Sequence, residues 1–142
     1  MLASVAVAGL LAGAPVPRDV PVEIPAGGGV ALRGTLSLPA GPGPYPAALI
    51  VNGFGPNDRD GVFGFGPGSP YRAWAQGLVR RGVAVLRYDK RGVGRSGGAP
   101  LAWLDARPLT RDAAAAARTL GARPEVDRAR LALVGHSQGG AI

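Results

Sequence analysis

Leu131-Ala132-Leu133-Val134-Gly135-His136-Ser137-Gln138-Gly139-Gly140 is the stretch from which the rest of this 142-residue chain can be read. Its four leading apolar residues read as a strand covered on both faces, because a half-covered strand alternates apolar with polar. The strand runs directly into Gly-x-Ser-x-Gly. Turning from strand to helix in about one residue strains the serine backbone, and side chains in place of Gly135 and Gly139 would collide across the turn. Such a turn lifts the Ser137 hydroxyl above the sheet edge, where a base can reach it. It also sets the Gln138 amide beside that hydroxyl, at the positive end of the following helix, where it would hold an oxyanion. Ser137 is therefore the candidate nucleophile. The plainer reading, an ordinary turn serine, suits a Gly-rich chain but not a position straight after a buried-type strand.

Working back toward the amino terminus, Ala47-Ala48-Leu49-Ile50-Val51 and Val83-Ala84-Val85-Leu86 are further continuous apolar runs of the same kind. Between them Ser69 and Pro70 mark a helix start. Tyr71, Trp74, Ala75, Leu78 and Val79 then follow the spacing of one buried helical stripe, and Gly82 suits a left-handed cap. A second helix is expected from Thr110 as N-cap, through the alanines 113–117, to Leu120. Earlier still, Val20-Pro21-Val22-Glu23-Ile24 alternates. After Gly27-Gly28-Gly29, Val30, Leu32, Gly34, Leu36 and Leu38 share one face, so the pair reads as an antiparallel hairpin. The fold class is α/β: an N-terminal hairpin, then parallel strand–helix–strand–helix–strand ending at the Ser137 turn, with right-handed crossovers.

Composition narrows the function. With no Cys, disulfides and thiolate chemistry are excluded, and a single His leaves a zinc site almost without ligands. No run approaches the roughly 18 apolar residues of a membrane span. The chain carries 24 glycines and 14 prolines, yet 46% of it is apolar, which favours a packed core over disorder. The net charge of +7 comes almost wholly from arginines. They are scattered (Arg18, Arg33, Arg59, Arg72, Arg107, Arg123), and the tightest group, Arg87, Lys90, Arg91 and Arg95, contains Asp89. A nucleic-acid surface would cluster its cations among aromatics, so no nucleic-acid partner is expected.

Residues 1–19 are set apart. Leu2 to Leu11 is apolar and Ala12-Gly13-Ala14 resembles a signal-peptidase site, but no Lys or Arg precedes it. The segment is either an export leader, giving a periplasmic or extracellular protein, or a disordered start that leaves it cytoplasmic. Residues 20–142 form the α/β domain.

Three other features need weighing. Gly92-Val93-Gly94-Arg95-Ser96-Gly97 fits G-x-G-x-x-G, with Asp112 twenty residues on. A dinucleotide site needs that motif to open a helix, which Gly98-Ala99-Pro100 blocks, so no cofactor is expected. His136 is the chain's one His, but adjacent side chains on a sharp turn diverge, so it should pack beside the turn. Asp58-Arg59-Asp60 is read as pinning its loop through ion pairs or turn hydrogen bonds, rather than as paired catalytic carboxylates.

Three blocks together, Asn52-Gly53-Phe54-Gly55-Pro56-Asn57-Asp58-Arg59-Asp60, Arg87-Tyr88-Asp89-Lys90-Arg91-Gly92-Val93-Gly94-Arg95-Ser96 and Gly135-His136-Ser137-Gln138-Gly139-Gly140, resemble the α/β-hydrolase superfamily. The likeness covers nearly all of residues 20–142 and lies near bacterial esterases of the serine-aminopeptidase and dienelactone-hydrolase branches. It implies a second oxyanion donor in the loop after the first buried strand, here the backbone N–H of Phe54. Gly53 and Gly55 let the chain bend there and expose that amide. Asn52 stands where many relatives carry His. The D-x-R-G-x-G-x-S loop from Asp89 to Ser96 is expected to brace the oxyanion side. The superfamily's order of Ser, acid, then His puts the two remaining triad members beyond residue 142. Residues 1–142 are thus expected to be the N-terminal part of a longer product, without turnover on their own. The implied activity is hydrolysis of a small-molecule carboxylic ester through an acyl-enzyme, with no metal or organic cofactor. The alternatives are an aminopeptidase-like serine peptidase and a non-catalytic truncated fragment.

Overall fold

The computed structural model describes residues 16–62, 68–99 and 105–142. The expected leader therefore lies mostly outside the described residues. Alternation along the first two strands produces the expected hairpin, β1 (Arg18–Pro25) antiparallel to β2 (Ala31–Leu38), with Ile24 opposite Leu32 and Val22 opposite Gly34. Strand β1 thus takes in Arg18 and Asp19, two residues the sequence assigns to the leader. The remaining strands are β3 (Tyr45–Val51), β4 (Ala84–Tyr88) and β5 (Val126–Gly135). The sheet order is β1-β2-β4-β3-β5. Strand β3 runs parallel to both β4 and β5, while β2 is antiparallel to β4. At Gly34 any side chain would strike the Arg87 carbonyl oxygen of β4, 2.8 Å from where a Cβ would stand.

Helices on both faces explain the unbroken apolar runs of β3 and β4. Successive strand side chains point to opposite faces. Leu49, Val51 and Leu86 join Leu32, Leu36 and Leu38 in a core completed by Ala115, Ala116 and Leu120 of α2 (Ala106–Gly121). On the opposite face Ile50 and Val85 pack with Tyr71, Ala75 and Val79 of α1 (Pro70–Val79). Helix α1 ends in the paired bonds of a Schellman motif, Val83 N–H to Leu78 O and Gly82 N–H to Val79 O, with Gly82 at φ +82°.

Four expectations need correction. Strand β5 is not covered on both faces: among the described residues it pairs with β3 alone, and Leu131 and Leu133 are 41% and 69% exposed. An apolar run reports affinity for burial; what covers it depends on elements outside the run. Helix α2 starts four residues earlier than Thr110, with Asp105 as N-cap accepting the Arg107 N–H at 3.1 Å. The Thr110 hydroxyl instead donates to the Ala106 carbonyl at 2.9 Å, the usual outlet for a threonine inside a helix. Ser69 precedes α1 without a side-chain capping bond. Trp74, on the expected buried stripe, is 42% exposed.

The Gly92–Gly97 segment closes on itself, Gly92 N–H to Gly97 O at 3.0 Å, and opens no helix. Asp112 is buried in an ion pair with Arg91. Among the described residues no helix is long and apolar enough to cross a membrane.

Candidate active site

Because β3 and β5 are parallel neighbours, their carboxyl ends emerge at the same edge of the sheet, where open α/β sheets bind ligands. From β5 the chain enters the Gly135–Gly139 turn. Ser137 sits there at φ +52°, the only non-glycine residue with positive φ among those described. The left-handed region costs a residue with a Cβ roughly 1–2 kcal/mol, so the surrounding contacts must hold it there. They do so by leaving no room for alternatives. A Cβ on Gly135 would lie 2.5 Å from the Gly139 carbonyl oxygen, and one on Gly139 would lie 2.1 Å from that of Val51. The His136 N–H bonds the Val51 carbonyl at 3.1 Å and the Gly139 N–H bonds that of His136 at 2.8 Å. Ser137 itself faces solvent. The expected helix after it is a single 3-10 turn, Ser137–Gly140, too short to add an appreciable helix dipole at Gln138.

From β3 the chain enters the Asn52–Asp60 loop, whose conformation is set by buried polar side chains. Asn52, fully buried, donates its amide to the carbonyls of Tyr88 at 3.2 Å and Asp58 at 3.0 Å, joining the ends of β3 and β4 to the loop. Asn57 donates to the carbonyls of Gly53 at 3.0 Å and Phe54 at 2.6 Å. Lys90 is 3% exposed. Its ammonium donates to the Gly53 carbonyl, to that of Gly55 at 3.2 Å and to the Gln138 side-chain oxygen at 3.3 Å. Burial lowers the Lys90 pKa to about 8. In a trans peptide the C=O and N–H point opposite ways. With the Gly53 carbonyl drawn inward to Asn57 and Lys90, the Phe54 N–H is turned outward.

Helix α1 supplies the wall behind the turn. The Tyr71 hydroxyl accepts the Gly53 N–H at 2.9 Å and lies 2.9 Å from His136 Nδ1. The His136 ring meets those of Tyr71 and Trp74 edge-on, each with centroids 5.7 Å apart. Gly53 is needed for this contact, since a Cβ there would lie 2.7 Å from His136 Nδ1. His136 thus packs beside the turn.

The charged residues form a frame below. Asp89 accepts from Arg59 Nε at 2.9 Å and Nη2 at 2.7 Å, and from the amides of Arg59 and Arg95 at 2.8 and 2.9 Å. Burial pushes the Asp89 carboxyl up, but the Arg59 hydrogen bond and the two amides outweigh it and hold the group below the usual carboxylate range. Asp60 bridges Arg87 of β4 and Arg72 of α1, and Asp58 accepts the amides of Asp60 and Val62 at 2.9 and 3.0 Å. Ser96 donates to the Asp89 carbonyl at 2.7 Å and accepts the Arg33 N–H at 2.9 Å, fixing the Asp89–Ser96 loop to β2.

The structure therefore brings Gly53, Phe54, Gly55, Gly135, Ser137, Gln138 and Gly139 to one edge of the sheet. Sequence reasoning missed Tyr71 and Asn57 as organisers of that edge, and expected the loop holding Lys90 to brace it without singling out the ammonium. The one available signal was Lys90, the single lysine among fifteen arginines.

A mixed sheet with helices on both faces, its parallel strands ending at a glycine-flanked serine held left-handed, is part of an α/β-hydrolase fold. Solved structures agree. The chain superposes on the α/β hydrolase GrgF from Penicillium sp. sh18 with TM-score 0.67 and 29% identity, covering 87% of this chain and 38% of that one. For the dienelactone hydrolase-like promiscuous phosphotriesterase P91 from metagenomic libraries the values are 0.59 and 26%, over 91% and 52%. For Est1E from Butyrivibrio proteoclasticus, solved with ferulic acid bound, they are 0.67 and 24%, over 84% and 43%, a likeness of fold alone. Residues 68–142 match the family described as serine aminopeptidase, S33, and the chain belongs to that family. Esterase EstD of Thermotoga maritima is 36% identical over 108 residues, 76% of this chain and 25% of EstD. The chain thus spans a quarter of the length of that curated relative.

Proposed function

We propose that the protein is a serine hydrolase that cleaves carboxylic esters of small molecules, with Ser137 as nucleophile and the amides of Phe54 and Gln138 as oxyanion donors. The observation that carries this reading is the exposed Ser137 held at φ +52° where β5 ends, beside the loop that turns the Phe54 N–H outward. The esterase name of EstD supports the ester as substrate class. In acylation the Ser137 Oγ bonds the acyl carbon, the ester C–O bond breaks, and the alcohol leaves with the serine's proton. Water then attacks the acyl carbon, releasing the acid and returning a proton to Ser137. A base must carry that proton. The His136 ring is turned toward α1, with Nδ1 on the Tyr71 hydroxyl and its edge against Tyr71 and Trp74, so the base is assigned to another residue of the protein.

Fluorophosphonate labelling of the full gene product tests the reading. The label should sit on Ser137 and vanish, with p-nitrophenyl ester turnover, in Ser137→Ala. A label elsewhere, or turnover unchanged in Ser137→Ala, refutes it. The match to the serine aminopeptidase family favours a second reading, peptide-bond cleavage. Aminoacyl p-nitroanilides run beside p-nitrophenyl esters separate the two.

A further inference from the structure

We propose that Lys90 is a positioning residue whose ammonium, bound at once to the Gly53 and Gly55 carbonyls and the Gln138 side chain, sets the mutual geometry of the two oxyanion-holding amides. The inference rests on the proposed roles of Phe54 and Gln138. Three separate segments meet at this one atom: the loop after β3, the loop after β4 and the turn after β5. Two of the three contacts act on a donor. The bond to the Gly53 carbonyl fixes the peptide unit whose other end is the Phe54 N–H. The bond to the Gln138 side chain ties down the residue whose own N–H is the second donor.

The residue type fits the task. An ammonium is compact and its three N–H groups point apart, so it can serve acceptors from different segments; a guanidinium presents a flat fork suited to one planar partner. Elsewhere the chain uses Arg for its cations, in planar pairs with Asp89, Asp112 and Glu125. Lysine stands where the acceptors include two carbonyl oxygens and a side-chain amide oxygen from different segments. Lys90 does not touch the reacting atoms: it acts through the backbone it holds. Its loss should therefore weaken transition-state binding, where the oxyanion forms, and leave ground-state binding nearly untouched.

The test measures p-nitrophenyl acetate hydrolysis by the full gene product in wild type, Lys90→Met and Lys90→Arg, with Ser137→Ala alongside. Lys90→Met should lower kcat about 10- to 100-fold with KM within about threefold. Lys90→Arg keeps a buried cation but changes its shape. It should melt as wild type does and still lose about 3- to 30-fold in kcat, so it decides the matter should the Met variant fail to fold. Either folded variant with wild-type kcat, or with its loss confined to KM, overturns the proposal. Amide NMR shifts supply a readout independent of turnover: Lys90→Arg should move residues 53–55 and 137–139 and little else. If Ser137→Ala retains turnover, the hydrolase reading has failed while the clamp is still judged by those shifts. Unmoved Phe54 and Gln138 amides overturn the clamp itself.

Discussion

Replacing Gly139 by Ala would put a methyl group 2.1 Å from the Val51 carbonyl oxygen, 2.7 Å from its carbonyl carbon and 2.8 Å from the Asn52 carbonyl oxygen. All three are backbone atoms where β3 ends, so no side chain can swing aside. Carbon–oxygen contacts settle at about 3.3 Å, so the turn must retreat by about 1.2 Å. That retreat pulls directly on the His136 N–H bond to Val51, which is 3.1 Å long. Overpacking of this kind costs about 1–3 kcal/mol, and a buried hydrogen-bonding group left unpaired adds about 1–3 kcal/mol. Gly139→Ala should therefore lose about 2–5 kcal/mol in equilibrium urea unfolding. Displacing Ser137 by about 1 Å should also slow its fluorophosphonate labelling by about 100-fold. Gly140→Ala is the matched control. Its methyl would meet nothing nearer than the Gly135 carbonyl oxygen at 3.6 Å, an ordinary contact. That variant should stay within about 0.5 kcal/mol of wild type. Equal urea midpoints for the two variants would refute the steric account of the turn.

Four further outcomes follow from the same geometry. Ser137→Gly relieves a left-handed strain of about 1–2 kcal/mol against a chain-entropy cost of about 0.4–1 kcal/mol. It should raise stability slightly in urea unfolding while abolishing labelling, and a clear destabilisation would contradict the strain. Tyr71→Phe orphans the buried Gly53 N–H and should cost about 1–3 kcal/mol in the same experiment; a neutral result would show that the bond is not made. Arg59→Met leaves Asp89 buried without its cation, costing about 3 kcal/mol at pH 7. Wild-type Asp89, held below its ordinary range, contributes stability that fades as pH falls through its folded value; in the variant burial dominates, so the difference between the two proteins should shrink from pH 7 to pH 4. A pH-independent difference argues against the pair. Lys90 gives a slope of the same sign at alkaline pH. Folded, it releases its proton near pH 8, well before the unfolded chain does near 10.5, so wild type should gain stability from pH 8 to 10 relative to Lys90→Met. The buried Tyr88 hydroxyl, pushed up by desolvation, lowers the stability of both proteins from pH 10 upward and so cancels in the difference. A flat difference between pH 8 and 10 would mean that Lys90 is not buried as described.

What could be read from the sequence is what local sterics and periodicity decide. The hairpin follows from alternation, and β3 and β4 from apolar runs that both sheet faces need. The collision across the Ser137 turn involves residues within four positions of one another. Strand β5 shows the limit: Leu131 and Leu133 have the composition of a covered strand, but exposure is settled by what lies alongside. Helix α2 begins at Asp105 rather than Thr110 because either residue type can cap, and the sequence does not say which one the chain bends at. Trp74 fits the apolar stripe of α1, yet its ring meets His136, 62 positions on in the numbering. Likewise Tyr71 reaches Gly53 across 18 residues and Lys90 reaches Gln138 across 48. Such meetings arise only when the sheet order is fixed, and no spacing in the chain encodes them.

Keeping the sole ε-amine of these 142 residues inside the molecule has a practical side. Amine-directed reagents such as succinimidyl esters should spare this ε-amine while the fold holds, so its modification would report any opening of the structure around it. Conversely, isotope-enriched lysine would place one spectroscopic beacon within this segment, at the junction of its three loops.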